Sequence, residues 1–159
     1  MKVYLIYDRY EGDEWFDVYH VCKTKKEFDG LYRQDLVKFI EGGPDDCHSF
    51  QGQVVNVTEE EYDLLKKVEN GELTDGSEEL EEVNDLLSQF LDDLDVDSPK
   101  CLFQTDGCTD VSEMFENYMN EEHPDVDEDS PEWFEFQSDF FDDEKLFKSE
   151  LVKYIDNNY

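Results

Sequence analysis

Positive charge is what this 159-residue chain has least of: 13 Lys and Arg stand against 45 Asp and Glu, a formal net charge of -32. A surface so acidic repels phosphates and anionic headgroups, which argues against direct binding to nucleic acid or membrane. Long apolar runs are lacking as well. No 18-residue apolar span occurs, and Met1 to Tyr7 has neither the apolar core nor the small-residue cleavage site of a signal peptide, so a soluble, cytoplasmic protein is expected. Four cysteines (Cys22, Cys47, Cys101, Cys108) contain no C-x-x-C pair, too sparse for a disulfide scaffold, and are expected as thiols. Phosphate-binding glycine loops, dinucleotide fingerprints and nucleophile elbows are missing. Among 45 carboxylates a pair at glycosidase spacing arises by chance and signals nothing. The chain is therefore read as no enzyme, without cofactor or resident metal.

What is present is enough to fold. Hydrophobic residues make up 38% and aromatics 14%, recurring at helical spacing, which separates this chain from disordered polyanions. Val3–Tyr7 and Trp15–Val21 read as the strands of a hairpin, joined by a polar turn over 8–14 that contains Gly12. Thr24-Lys25-Lys26-Glu27 is a capping box opening a helix that stops at Gly42-Gly43-Pro44. Gln51–Val57 reads as a third strand, and Thr58-Glu59-Glu60-Glu61 is a second capping box, for a helix ending near Gly71. The expected class is α+β. A small unit over 1–71 (hairpin, helix, strand, helix) precedes a mainly helical acidic part over 72–159, packed with it as one compact body.

The charge belongs to the later part. Through Thr58 there are 11 acids and 7 bases, a balance of -4; from Glu59 on there are 34 acids and 6 bases, a balance of -28. Within Glu72 to Asp97, the carboxylates of Glu78, Glu81, Glu82, Asp85, Asp92 and Asp93 share one helical arc, while Leu80, Val83, Leu87, Phe90, Leu91 and Leu94 share the other. Asp75 or Ser77 is the expected cap. From Glu78 to Asp95, about 26 Å of helix carries eight acids, roughly one per 3.2 Å, close to the ~3.4 Å between phosphates along one strand of a duplex.

Beyond this helix, Lys100–Thr105 reads as a short strand turning at Asp106-Gly107, and Thr109 or Ser112 as the start of a helix through Met114 and Met119. Asp125, Asp127, Glu128 and Asp129 form a second acidic patch ahead of the helix start Ser130-Pro131. Trp133, Phe134, Phe136, Phe140 and Phe141 follow, serving either to pack the C-terminal helices or, Trp133 foremost, to anchor a partner. Asp-x-Asp-x-Asp at Asp93 and Asp125 opens like a calcium loop but fails it: position 6 is serine, and position 12 is Gln104 or Phe136. His20 with Cys22, and Cys47 beside His48, match no zinc-finger spacing.

In composition the chain resembles the DNA-mimicking inhibitors of bacteriophages and mobile elements, small acidic proteins with aromatics and no shared motif. That resemblance implies carboxylates placed where phosphates would lie, occupying the basic cleft of a DNA- or RNA-binding host protein: a restriction, CRISPR, repair or nucleoid factor. Partner contacts are then expected from Glu78, Glu81, Glu82, Asp85, Asp92 and Asp93, continued by Asp125, Asp127, Glu128, Asp129 and Trp133. A homodimer would lengthen that face. An immunity or antitoxin-like protein, neutralising a basic toxin without imitating nucleic acid, is the alternative. Adaptation to high salt, a third reading, calls for an even spread of acids.

Overall fold

The computed structural model describes residues 1–11, 15–42, 48–95 and 97–158, the side chains of Trp15 and of residues 106–110 excepted. Gly12 of the expected turn, Gly43-Pro44 and Cys47, with the side chains of Cys108 and Thr109, fall outside the described part. The described residues form two compact units, Met1–Gly107 and Cys108–Tyr159.

In the first unit, β1 (Lys2–Tyr10), β2 (Trp15–Cys22), β3 (His48–Asn56) and β4 (Cys101–Asp106) form an antiparallel sheet of order β2-β1-β3-β4. The hairpin strands run longer than expected, because Asp8 is absorbed into the sheet. Its carboxylate accepts bonds from the Asp17 backbone N–H and the Tyr19 hydroxyl, both at 3.1 Å. The register of β1 against β2 slips between Ile6 and Tyr7, where Tyr19 is the extra residue.

Three helices cover the two faces of this sheet. On one side lies α1 (Lys25–Glu41), opened by the Thr24/Glu27 capping box and closed at Gly42. Its Phe28 and Phe39 pack on Phe103 and Phe50. Gly52 in β3 makes room for these rings: a Cβ there would lie 2.6 Å from Phe103 Cδ1 and 2.8 Å from Phe28 Cζ, which no side chain tolerates. On the other side lie α2 (Glu59–Glu69) and α3 (Glu78–Asp92). There Val3, Leu5, Tyr7, Val18, Val21 and Val55 meet Leu65 of α2 with Val83 and Leu87 of α3 in one buried cluster. The second expected capping box opens α2, and a Schellman motif closes it. Gly71 has φ +68°, its N–H donates to Val68 (3.0 Å), and the Glu72 N–H donates to Lys67 (2.8 Å).

The α+β class is as expected, but the division of the chain is not. The boundary expected after residue 71 falls after Gly107. Its cause is long-range pairing: β4 extends the sheet by bonding to β3, and α3 covers the sheet beside α2.

The second unit holds α4 (Gly107–Glu122, starting at the last residue of the first unit), α5 (Pro131–Asp142) and α6 (Glu144–Asn158). Its core is mostly sulfur and rings, with two aliphatic side chains: Met114, Phe115 and Met119 of α4, Trp133 and Phe140 of α5, and Leu151, Tyr154 and Ile155 of α6 are all buried. Phe115 meets Trp133 edge-on at 5.2 Å and Phe140 at 5.3 Å between ring centroids, the arrangement ring quadrupoles favour. Ser130 caps α5 through the Trp133 N–H, with Pro131 at the first helical position.

Candidate partner-binding surface

The acidic face of α3 is built as its periodicity requires. Ser77, not Asp75, caps it, accepting from the Leu80 N–H at 3.3 Å. Val83 and Leu87 are fully buried, and Glu78, Glu81, Glu82, Asp85, Asp92 and Asp93 are all exposed. Two details differ from expectation. The helix ends at Asp92, so Asp95 lies beyond it. The charges also fall in two groups, Glu78–Asp85 and Asp92–Asp93, separated along the axis by about 10 Å. Glu79 turns aside and pairs with Lys67 of α2 at 2.9 Å.

Besides the burial of Val83 and Leu87, a polar relay from the sheet fixes this helix. The Tyr7 hydroxyl donates to Gln53 Oε1 (2.8 Å), and Gln53 Nε2 donates to the Phe90 carbonyl (2.9 Å). The Phe90 oxygen is the acceptor that a Schellman bond would use at the end of α3; here a side chain from β3 takes it.

Asp125, Asp127, Glu128 and Asp129 are exposed in the loop between α4 and α5, within the second unit. Asp129 has φ +62°, a left-handed conformation that glycine adopts at lower cost; the chain keeps a carboxylate there instead. Trp133, expected as an exposed anchor, is 8% exposed and packs on Phe115, so it belongs to the core. The exposed rings of this helix are Phe134 (52%) and Phe141 (42%).

A further pattern runs through the helix ends. The negative pole of a helix favours cations, and α1 and α2 comply with Lys38 and with Lys66 and Lys67 in their last turns. The other four helices have no basic residue in the last turn. Instead α3 ends in Asp92 with Asp93 as its cap, α4 in Glu121-Glu122, and α5 in Asp142. Each such acid costs about 0.3–1 kcal/mol. Local explanations exist for two acids: Glu121 pairs with Lys153, and Asp143, after α5, accepts from the Leu146 N–H at the start of α6. Asp92, Asp93, Glu122 and Asp142 remain as exposed charges set against the poles of their own helices.

Two buried acids lie on the opposite, α1 side of the sheet. Asp35 of α1 is fully buried and meets His20 Nδ1 at 2.5 Å; its other oxygen, 3.9 Å from Lys38 Nζ, has no hydrogen-bond partner. Burial raises the Asp35 carboxyl, and the His20 bond works against that rise. Asp8 is 5% exposed at the base of a cleft of about 120 Å³ shared with Tyr19, Lys38, Phe39 and His48. Burial, then the nearby Asp17, pushes its carboxyl up to about 6. Sequence reading found neither acid, although Asp35, on the apolar stripe of α1 seven residues after Phe28, carried the signal. Burial pushes the Cys22 thiol up to about 11, with Glu27 and Glu69 adding to it, so this sulfur is a poor nucleophile. Among the described residues, no three His, Cys, Asp or Glu side chains stand close enough to hold a metal ion, and no helix is long and apolar enough to cross a membrane.

Comparison with protein-family models, with curated proteins and with solved structures finds no match.

Proposed function

We propose that this protein is an acidic decoy, a nucleic-acid mimic that occupies the basic cleft of a DNA- or RNA-binding protein and thereby inhibits it. The observation that carries this reading is the α3 face: five exposed carboxylates on a helix and a sixth on its C-cap, Asp93, with the helix pinned from behind by Val83, Leu87 and the Gln53 relay. Ordering is what separates a decoy from a merely soluble surface. A preorganised array loses little entropy when it meets Lys and Arg side chains, and charge complementarity then accelerates encounter and selects the partner. Acids retained at the negative poles of α3, α4 and α5, and at the left-handed Asp129, support selection for charge over stability.

The test begins with capture of basic proteins from a host lysate at low and high salt, followed by elution with duplex DNA. With a target in hand, the quadruple charge reversal E78K/E81K/E82K/D85K should slow association by roughly tenfold to a thousandfold at low salt, while single changes at the rim shift affinity little. Undiminished displacement of DNA by the quadruple variant would end this reading. A partner held tightly but never displaced by nucleic acid would place the protein with toxin-neutralising immunity proteins. Salt gives an independent check: rising ionic strength should weaken the complex yet stabilise the free protein, whose self-repulsion it screens.

A further inference from the structure

The outward side of α5 carries two exposed rings in an acidic setting. Phe134 and Phe141 are seven residues apart, so they return to within about 20° of the same direction, roughly 10 Å apart along the axis. Each is followed in sequence by an exposed acid, Glu135 and Asp142, set about 100° further round the helix. Phe141 is braced from behind by Phe140 (5.2 Å, edge-on) and by Phe147 of α6 (5.9 Å). Both rings stay exposed although the seam beside them, Trp133 and Phe140, is buried.

We infer that this side of α5 is a docking surface for arginine: an arginine-rich segment of the basic partner lays one guanidinium on Phe134 and a second on Phe141, while its other charges meet the carboxylates that flank this stripe. Charge complementarity selects the occupant. The second unit carries 17 acids against 3 bases, so a second copy of the chain is repelled and an acidic or neutral apolar segment leaves the carboxylates without partners. Arginine fits where lysine does not. Its planar, weakly hydrated guanidinium stacks flat on a ring, whereas an ammonium is a strongly hydrated point charge that gains less from the same face. The inference deepens the decoy reading and rests on it: carboxylates supply attraction to any basic segment, and the rings supply the choice between two basic side chains.

The experiment uses the full chain and two probes of equal charge, fluorescent nona-arginine and nona-lysine, titrated at low salt. The unmodified protein should bind nona-arginine more tightly. In F134A/F141A the arginine-to-lysine affinity ratio should fall by roughly threefold to tenfold with nona-lysine affinity unchanged. F134Y/F141Y, which keeps a ring at each position, should restore the ratio. Because Phe141 also touches core rings, F134A alone provides a variant with the bracing intact, and it should show about half the loss on a logarithmic scale. A ratio unchanged in F134A/F141A, or a fall shared equally by both peptides, overturns the arginine surface while leaving the decoy reading standing. Failure of the unmodified chain to bind either peptide overturns the decoy reading, and this inference with it.

Discussion

Gln53→Leu tests how α3 is held. Gln53 is 3% exposed and Tyr7 fully buried, so removing the amide leaves two groups without partners, the Tyr7 hydroxyl and the Phe90 carbonyl. A buried polar group left unsatisfied costs about 1–3 kcal/mol, and leucine of similar volume recovers part of that through apolar burial, so the expected loss is about 2–4 kcal/mol. Tyr7→Phe deletes only the donor to Gln53 and should cost about 1–2 kcal/mol. In the double variant the hydroxyl and its acceptor have left together and only the Phe90 carbonyl is stranded, so its cost should fall short of the sum by about 1–2 kcal/mol. Urea denaturation of the four proteins, read through amide exchange in β1 and β3, isolates the first unit. Exchange in the last turn of α3 should rise in Q53L, and affinity for a basic target should drop although no carboxylate has been touched. Additive costs, within about 0.3 kcal/mol, would refute the relay.

The acids on the α1 side of the sheet give two more expectations. His20→Ala leaves the buried Asp35 with only the exposed Lys38, 3.9 Å away, and should destabilise by about 2–4 kcal/mol, with Asp35→Asn in the same chain restoring much of it; a loss below about 0.5 kcal/mol in urea would show the pair to be inert. For Asp8, burial holds the folded carboxyl near 6 against an ordinary 3.8, so the fold binds this proton more tightly than the unfolded chain. Its penalty is absent below about pH 4, grows as pH rises to about 6, and is complete above that. Asp8→Asn should therefore flatten the stability profile between those limits and raise stability at pH 7 by on the order of 1 kcal/mol, less the bond to the Asp17 N–H. Parallel profiles for the two proteins would contradict this.

Local chemistry was legible in the sequence; pairing at a distance was not. Both threonine capping boxes and the arc of α3 depend on residues three or four apart, and all formed as read. The place of β4 depends on Ser49–Gln53 meeting Cys101–Asp106, about fifty residues away, and no short-range pattern encodes that. Gly52 was the available clue, since a glycine inside a strand marks close approach, here by Phe103 and Phe28. In α5 residue type misled and position would not have: Trp133 and Phe140 fall on one stripe, toward Phe115, and Phe134 and Phe141 on another. The acids at helix ends were visible all along, but they carry meaning only once the ends are known.

Those misplaced acids set evolution and engineering against each other. A heat-survival screen of random variants would enrich lysine or arginine at Asp92, Asp93, Glu122 and Asp142, because each such exchange soothes a helix terminus. Under the proposed decoy function every winner would be a hardier molecule and a poorer inhibitor, and within each unit the positions where robustness and potency part company would be those that serve binding.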